Sequence, residues 1–119
     1  MKKILIASLL ISSSFSTYAD EYIKRNGALI LSHGNGFVEF SINVSRSNAS
    51  VFCNVKGVAI SIDASARQRN RWVYSDSLSA CVIVISELND DFVNVASRNC
   101  ENYCSISSVD SINGKYMRK

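Results

Sequence analysis

From Val38 the chain alternates strictly. Val38, Phe40, Ile42 and Val44 are apolar, and Glu39, Ser41 and Asn43 between them are polar. A period of two marks an extended strand with one face buried and the other in water. Similar short segments recur at roughly the 8–12-residue spacing of all-β domains, and the chain contains no proline to interrupt them. Residues 28–32 read as a short strand, and His33-Gly34-Asn35-Gly36 as a turn. Residues 37–45 form the alternating strand, and residues 50–56 form another that carries Cys53. Gly57 is expected to break or bulge it, after which Val58, Ile60 and Ile62 alternate again, continuing the sheet or starting a new strand. Residues 71–75 have strand composition. Residues 80–87 are apolar enough for burial on both faces, and residues 92–96 pair back on them after an Asn-Asp-Asp turn. Residues 106–109 and 115–118 are predicted as short strands around Asn113-Gly114, a tight-turn dipeptide. Residues 20–26 are polar and read as frayed or edge. Residues 63–70 are either a helical turn capped by Asp63 or a long loop. The pattern predicts an all-β fold, a small antiparallel barrel or sandwich of about eight short strands with meander connections.

The first residues have a different character. Lys2 and Lys3 precede an apolar run over residues 4–11, then small polar residues, then Thr17-Tyr18-Ala19. That is the layout of a secretory signal peptide, and the run is shorter than the ~20 residues of a spanning helix. Residues 1–19 are therefore predicted to be removed, leaving 20–119 as a single β domain. Asp20 stands where a lipid-anchored protein would have cysteine, so no membrane anchor is expected. Without Lys2 and Lys3 the 13 basic residues fall to 11 against 10 acidic ones, a net charge of about +1. No clustered basic face suggests nucleic acid as a partner.

Cys53, Cys81, Cys100 and Cys104 all lie in the mature part. An even count in an exported chain predicts two disulfides. A zinc site would need Cys-x-x-Cys pairs or histidine partners, and His33 is the only histidine. Cys53 and Cys81 each fall in a predicted strand, and Cys100 and Cys104 are close in sequence. The expected pairs are Cys53–Cys81 and Cys100–Cys104.

No catalytic constellation is evident. His33 sits in a glycine-flanked turn, Asp90-Asp91 reads as a turn pair, and Cys100-x-x-x-Cys104 lacks oxidoreductase spacing. No cofactor is expected. The most distinctive surface stretch is Arg67-Gln68-Arg69-Asn70-Arg71-Trp72. Arginine and tryptophan are enriched in interface hot spots, and the guanidinium fork suits a carboxylate. Trp72 is expected in the core. Arg67, Arg69 and Arg71, with Tyr103 beside the close cysteines, are the candidate partner-binding residues.

Cys53-x-x-x-Gly57, Cys81 before an apolar run, Phe92-Val-Asn-Val, Cys100-Glu-Asn-Tyr-Cys104 and Ile112-Asn-Gly-Lys-Tyr116 together resemble small exported bacterial β-proteins related to lysozyme inhibitors. They also resemble the C-terminal module of LprI-type proteins and periplasmic immunity proteins. Ser105 stands where that pattern usually has glycine, and Asn113-Gly114 where it has Asp-Gly. The resemblance implies a periplasmic protein without enzymatic activity. It would block a peptidoglycan-active enzyme, an effector of type VI kind or a lysozyme, in a 1:1 complex by occluding its cleft. The alternative is a barrel that binds a small ligand or cell-wall fragment at its mouth.

Overall fold

The structure, a computed structural model, describes residues 19–45, 52–64, 68–105 and 111–119. Its strands are β1 (Ala19–Lys24), β2 (Gly27–His33), β3 (Phe37–Ser45), β4 (Phe52–Ile62), β5 (Gln68–Asp76), β6 (Cys81–Leu88), β7 (Phe92–Arg98) and β8 (Gly114–Arg118). Each pairs antiparallel with its neighbour in sequence, and the order closes into a barrel. The closing seam joins β1 and β8, with Tyr22 opposite Arg118 and Ile23 opposite Met117. Residues 20–26 are thus not a frayed edge: β1 is a wall strand bonded on both sides. Their polarity reflects a strand that turns only part of its surface inward, Tyr22 being buried.

The alternating pattern of β3 is realised as read. Val38, Phe40, Ile42 and Val44 point inside, where they meet Leu29, Leu31, Val55, Ile83, Ile85, Val93, Val95 and Tyr116. Burying each such side chain is worth about 1.5–3 kcal/mol, so this packed interior is the main source of stability. Trp72 joins the core at 4 % exposure, as its composition suggested.

β4 departs from expectation. Gly57 neither breaks nor bulges it; β4 stays in register with β3 from Phe52 to Ile60, with Gly57 opposite Phe40. A Cβ built on Gly57 would stand 2.6 Å from Cε1 of Tyr74. Glycine is there because the tyrosine ring lies on it, packed in turn edge-on to Phe40 at 5.2 Å. β4 bonds β5 only from Ile60 to Ile62, opposite Val73 to Arg71. Nearer its start the two strands diverge and the Tyr74 ring occupies the space. Residues 63 and 64, the described part of the stretch read as helical turn or loop, have no regular structure.

The disulfides differ from the expected pairing. They are Cys53–Cys104 and Cys81–Cys100. β4 and β6 are not neighbours, since β5 lies between them. Cys53 and Cys81, both buried at the same barrel end, are each met instead by the segment after β7. Cys100 fastens that segment beside the start of β6. A 3-10 turn, Glu101–Tyr103, then carries it to Cys104, which bridges Cys53. The segment forms a strap across this end. Beyond it Ile112 is fully buried, and its carbonyl accepts a 2.7 Å hydrogen bond from Tyr116 Oη. Asn113 Oδ1 accepts from both the amide and the hydroxyl of Ser97, at 2.8 and 2.7 Å. The strand predicted at 106–109 lies outside the described residues. Gly114, at φ +132°, opens β8, which pairs with β7 and β1.

Candidate functional site: the hairpin between β4 and β5

The strap closes one end of the barrel, and the hairpin that joins β4 to β5 stands at the other. Inside that end, Glu87 is nearly buried and accepts a 2.6 Å hydrogen bond from Asn70 Nδ2. Asp20 bridges His33 Nε2 and Arg118 Nη1, both at 3.3 Å. Arg118 also donates to Tyr22 Oη at 3.1 Å and lies over the Tyr22 ring. Burial pushes the Tyr22 hydroxyl above its usual pKa, with Arg118 pulling the other way. His33 packs edge-on to Trp72 at 5.5 Å. The single histidine is therefore one partner of an exposed cluster around Asp20 that ties β1, β2 and β8 together. Exposed pairs of this kind add at most about 1 kcal/mol.

Of the residues read as partner-binding, Arg67 lies outside the described residues. Arg69 is exposed on β5, at a register shift between Gln68 and Asn70. Asn70, also exposed, shares the parity of the buried Trp72 and reaches Glu87. Arg71 lies further into the wall, opposite Ile62 on β4 and Ser86 on β6. It is half-buried, and its Nε is buried without a hydrogen-bond partner. A dry donor with no acceptor costs about 1–3 kcal/mol.

Tyr103 belongs to the opposite end. Its hydroxyl donates to Asp76 Oδ2 and lies 3.2 Å from the hydroxyl of Tyr74. The bond to Asp76 pushes the Tyr103 pKa well above its usual value. The same bond, with the Leu78 amide at 3.0 Å and the Ser79 hydroxyl at 2.9 Å, holds the Asp76 carboxyl below the ordinary range. Tyr103 is thus committed to holding the strap against β5. At about 3.3 Å per residue, the length of β5 puts it some 20 Å from Arg69, so the two do not form one contact surface.

Three residues that sequence reading did not assign to a site stand beside the hairpin. Val58, Ile60 and Ile62 point outward and are 46 %, 54 % and 39 % exposed. Cys53, Val55 and Ala59 set the inward parity of β4, and because Gly57 causes no slip, the even-numbered aliphatics face solvent. A shallow groove of about 370 Å³ adjoins them, lined by Ile30, Ser32, Glu39, Ser41, Lys56 and Val58. The core side chains cluster inside the barrel, and this groove lies on its outer wall. Among the described residues no three His, Cys, Asp or Glu side chains converge as a metal site. None of their helices is long and apolar enough to cross a membrane.

Comparison of the chain with protein-family models, with curated proteins and with solved structures gives no match.

Proposed function

We propose that this protein inhibits a peptidoglycan-active enzyme, serving in the periplasm as an immunity protein against a cell-wall-targeting effector or as a lysozyme inhibitor. The observation that supports the reading is an arginine-bearing hairpin presented at one end of a closed, twice cross-linked barrel. Two disulfides suit an oxidising compartment outside the cytoplasm. Enzymes that hold peptidoglycan have extended clefts, and many carry catalytic carboxylates. β4 and β5 on either side are bonded to β3 and β6, so the scaffold that presents Arg69 needs little ordering on binding. The exposed Arg69 and its neighbour Arg67 then pair with acidic groups of the cleft. The inhibitor occludes the site and has no reaction of its own.

The test is lysis of purified peptidoglycan by a lysozyme, a lytic transglycosylase, an amidase and a transpeptidase-coupled hydrolase, each titrated with the disulfide-bonded protein. The expected result is stoichiometric, 1:1 inhibition of one class. Arg67→Ala/Arg69→Ala should then weaken it by about thirtyfold, the effect of losing roughly 2 kcal/mol of contact energy. No inhibition of any class sinks the reading. Inhibition that the double variant leaves intact moves the contact away from the hairpin.

A further inference from the structure

The outer wall of β4 bears a ridge, Val58, Ile60 and Ile62, and Ile60 is flanked in register by Phe37 on β3 and Val73 on β5. The groove beside it shares Val58 with the ridge. Two charges stand at opposite corners. Glu39 is exposed, lies opposite Val58 across the β3–β4 ladder and is in no ion pair among the described residues. Arg71 lies opposite Ile62 on the other flank, with its partnerless Nε. One patch thus holds an apolar ridge, a groove that has Lys56 as well as Glu39 in its lining, and an acid and a base that form no ion pair among the described residues.

We propose that this patch is the interface of a two-fold symmetric dimer of the chain. An isologous interface pairs every feature of a patch with the corresponding feature of its copy, so a second copy supplies both missing charges at once. On the lattice of the wall, strands lie about 4.8 Å apart and same-face residues about 6.8 Å apart. Glu39 and Arg71 are then displaced by one strand and one same-face step to either side of Ile60. A two-fold axis lying in the wall at Ile60 sets Arg71 against the partner's Glu39, and Glu39 against the partner's Arg71. The same rotation stacks Ile60 on the partner's Ile60 and carries Ile62 over the partner's β3, beside the partner's Phe37. The strands of the two walls cross at a large angle, as in orthogonal sheet packing. A foreign partner would need its own ridge, hole, acid and base in mirrored places. The ridge and its two charges span only three strands, so the dimer should be weak and concentration-dependent.

Sedimentation equilibrium of the disulfide-bonded protein at low salt, from about 1 µM to about 1 mM, reads the mass directly. The expected result is a monomer–dimer equilibrium within that range. Ile60→Lys, at an exposed position, should remove the dimer and leave the circular dichroism spectrum unchanged. Glu39→Arg and Arg71→Glu should each weaken self-association at least tenfold. An equimolar mixture of those two variants should regain the wild-type mass, because each supplies the charge the other lacks. A monomer throughout, meaning the ridge serves another protein or none, overturns the proposal. So does a dimer that survives Ile60→Lys, or a mixture that fails to re-associate. Because Arg69 is not one of the residues of this patch, loss of the dimer and loss of enzyme inhibition are read from different variants.

Discussion

Asp76 is the residue on which one barrel end turns. It accepts from Tyr103, from the Leu78 amide and from Ser79, and all three bonds favour the charged carboxylate. A carboxyl with a depressed folded-state pKa contributes stability above its ordinary value, 3.8, and that contribution fades as pH falls through the depressed one. Tyr103→Phe removes the largest cause. In a carboxyl NMR titration, the Asp76 midpoint should lie below 3.8 in wild type and move up towards it in the variant. The variant's stability deficit, present at neutral pH, should shrink in strong acid. An unmoved midpoint would show that the tyrosine does not hold the carboxylate. Sequence alone placed Tyr103 beside a close cysteine pair, and an aromatic between Asn102 and Cys104 gives no hint of an acceptor 27 positions away. Trp72 was legible, and so was the inward face of β3, because local alternation alone decides them.

At the scale of elements, β4 and β5 show where such reading stops. Periodicity reports that positions alternate, not which parity faces the core. Gly57 looked like a stop, and a one-residue slip there would have turned Val58, Ile60 and Ile62 inward. What keeps the register is a ring from the next strand. Gly57→Ala would push a methyl into Tyr74, which is held from behind by Phe40 and by Tyr103. The expected cost is about 1–3 kcal/mol, the range for overpacking, measured by urea denaturation with an unchanged slope. A cost near zero would mean that the ring moves aside freely. β1 was misjudged for a related reason: closing a barrel recruits a polar segment that would be an edge in an open sheet.

Across the whole molecule, the number and closeness of the strands were readable, but the cysteine pairing was not. Pairing depends on which strands share an end and on what crosses it. The strap does the crossing, and its route is set by contacts between residues far apart in the chain. In the chain-entropy model a loop of 51 residues contributes about 4 kcal/mol and one of 19 about 3. Cys53→Ala/Cys104→Ala should therefore destabilise the protein somewhat more than Cys81→Ala/Cys100→Ala, as read by thermal unfolding. A non-reducing peptide map should yield only the two bridged pairs seen in the structure.

Those pairs are nested, with Cys81–Cys100 enclosed by Cys53–Cys104, and nesting matters for biogenesis. On the proposed reading of an exported protein, a chain that emerges amino end first would show Cys53 and then Cys81 to the oxidising machinery while both native partners are still inside. Oxidation in order of arrival joins Cys53 to Cys81 and leaves Cys100 to take Cys104. That species has two disulfides and no free thiol, yet its strap cannot reach either strand it should hold. Only thiolate attack on an existing bond can rescue it. The yield of active protein should thus depend on a disulfide-shuffling catalyst more than on the supply of oxidant.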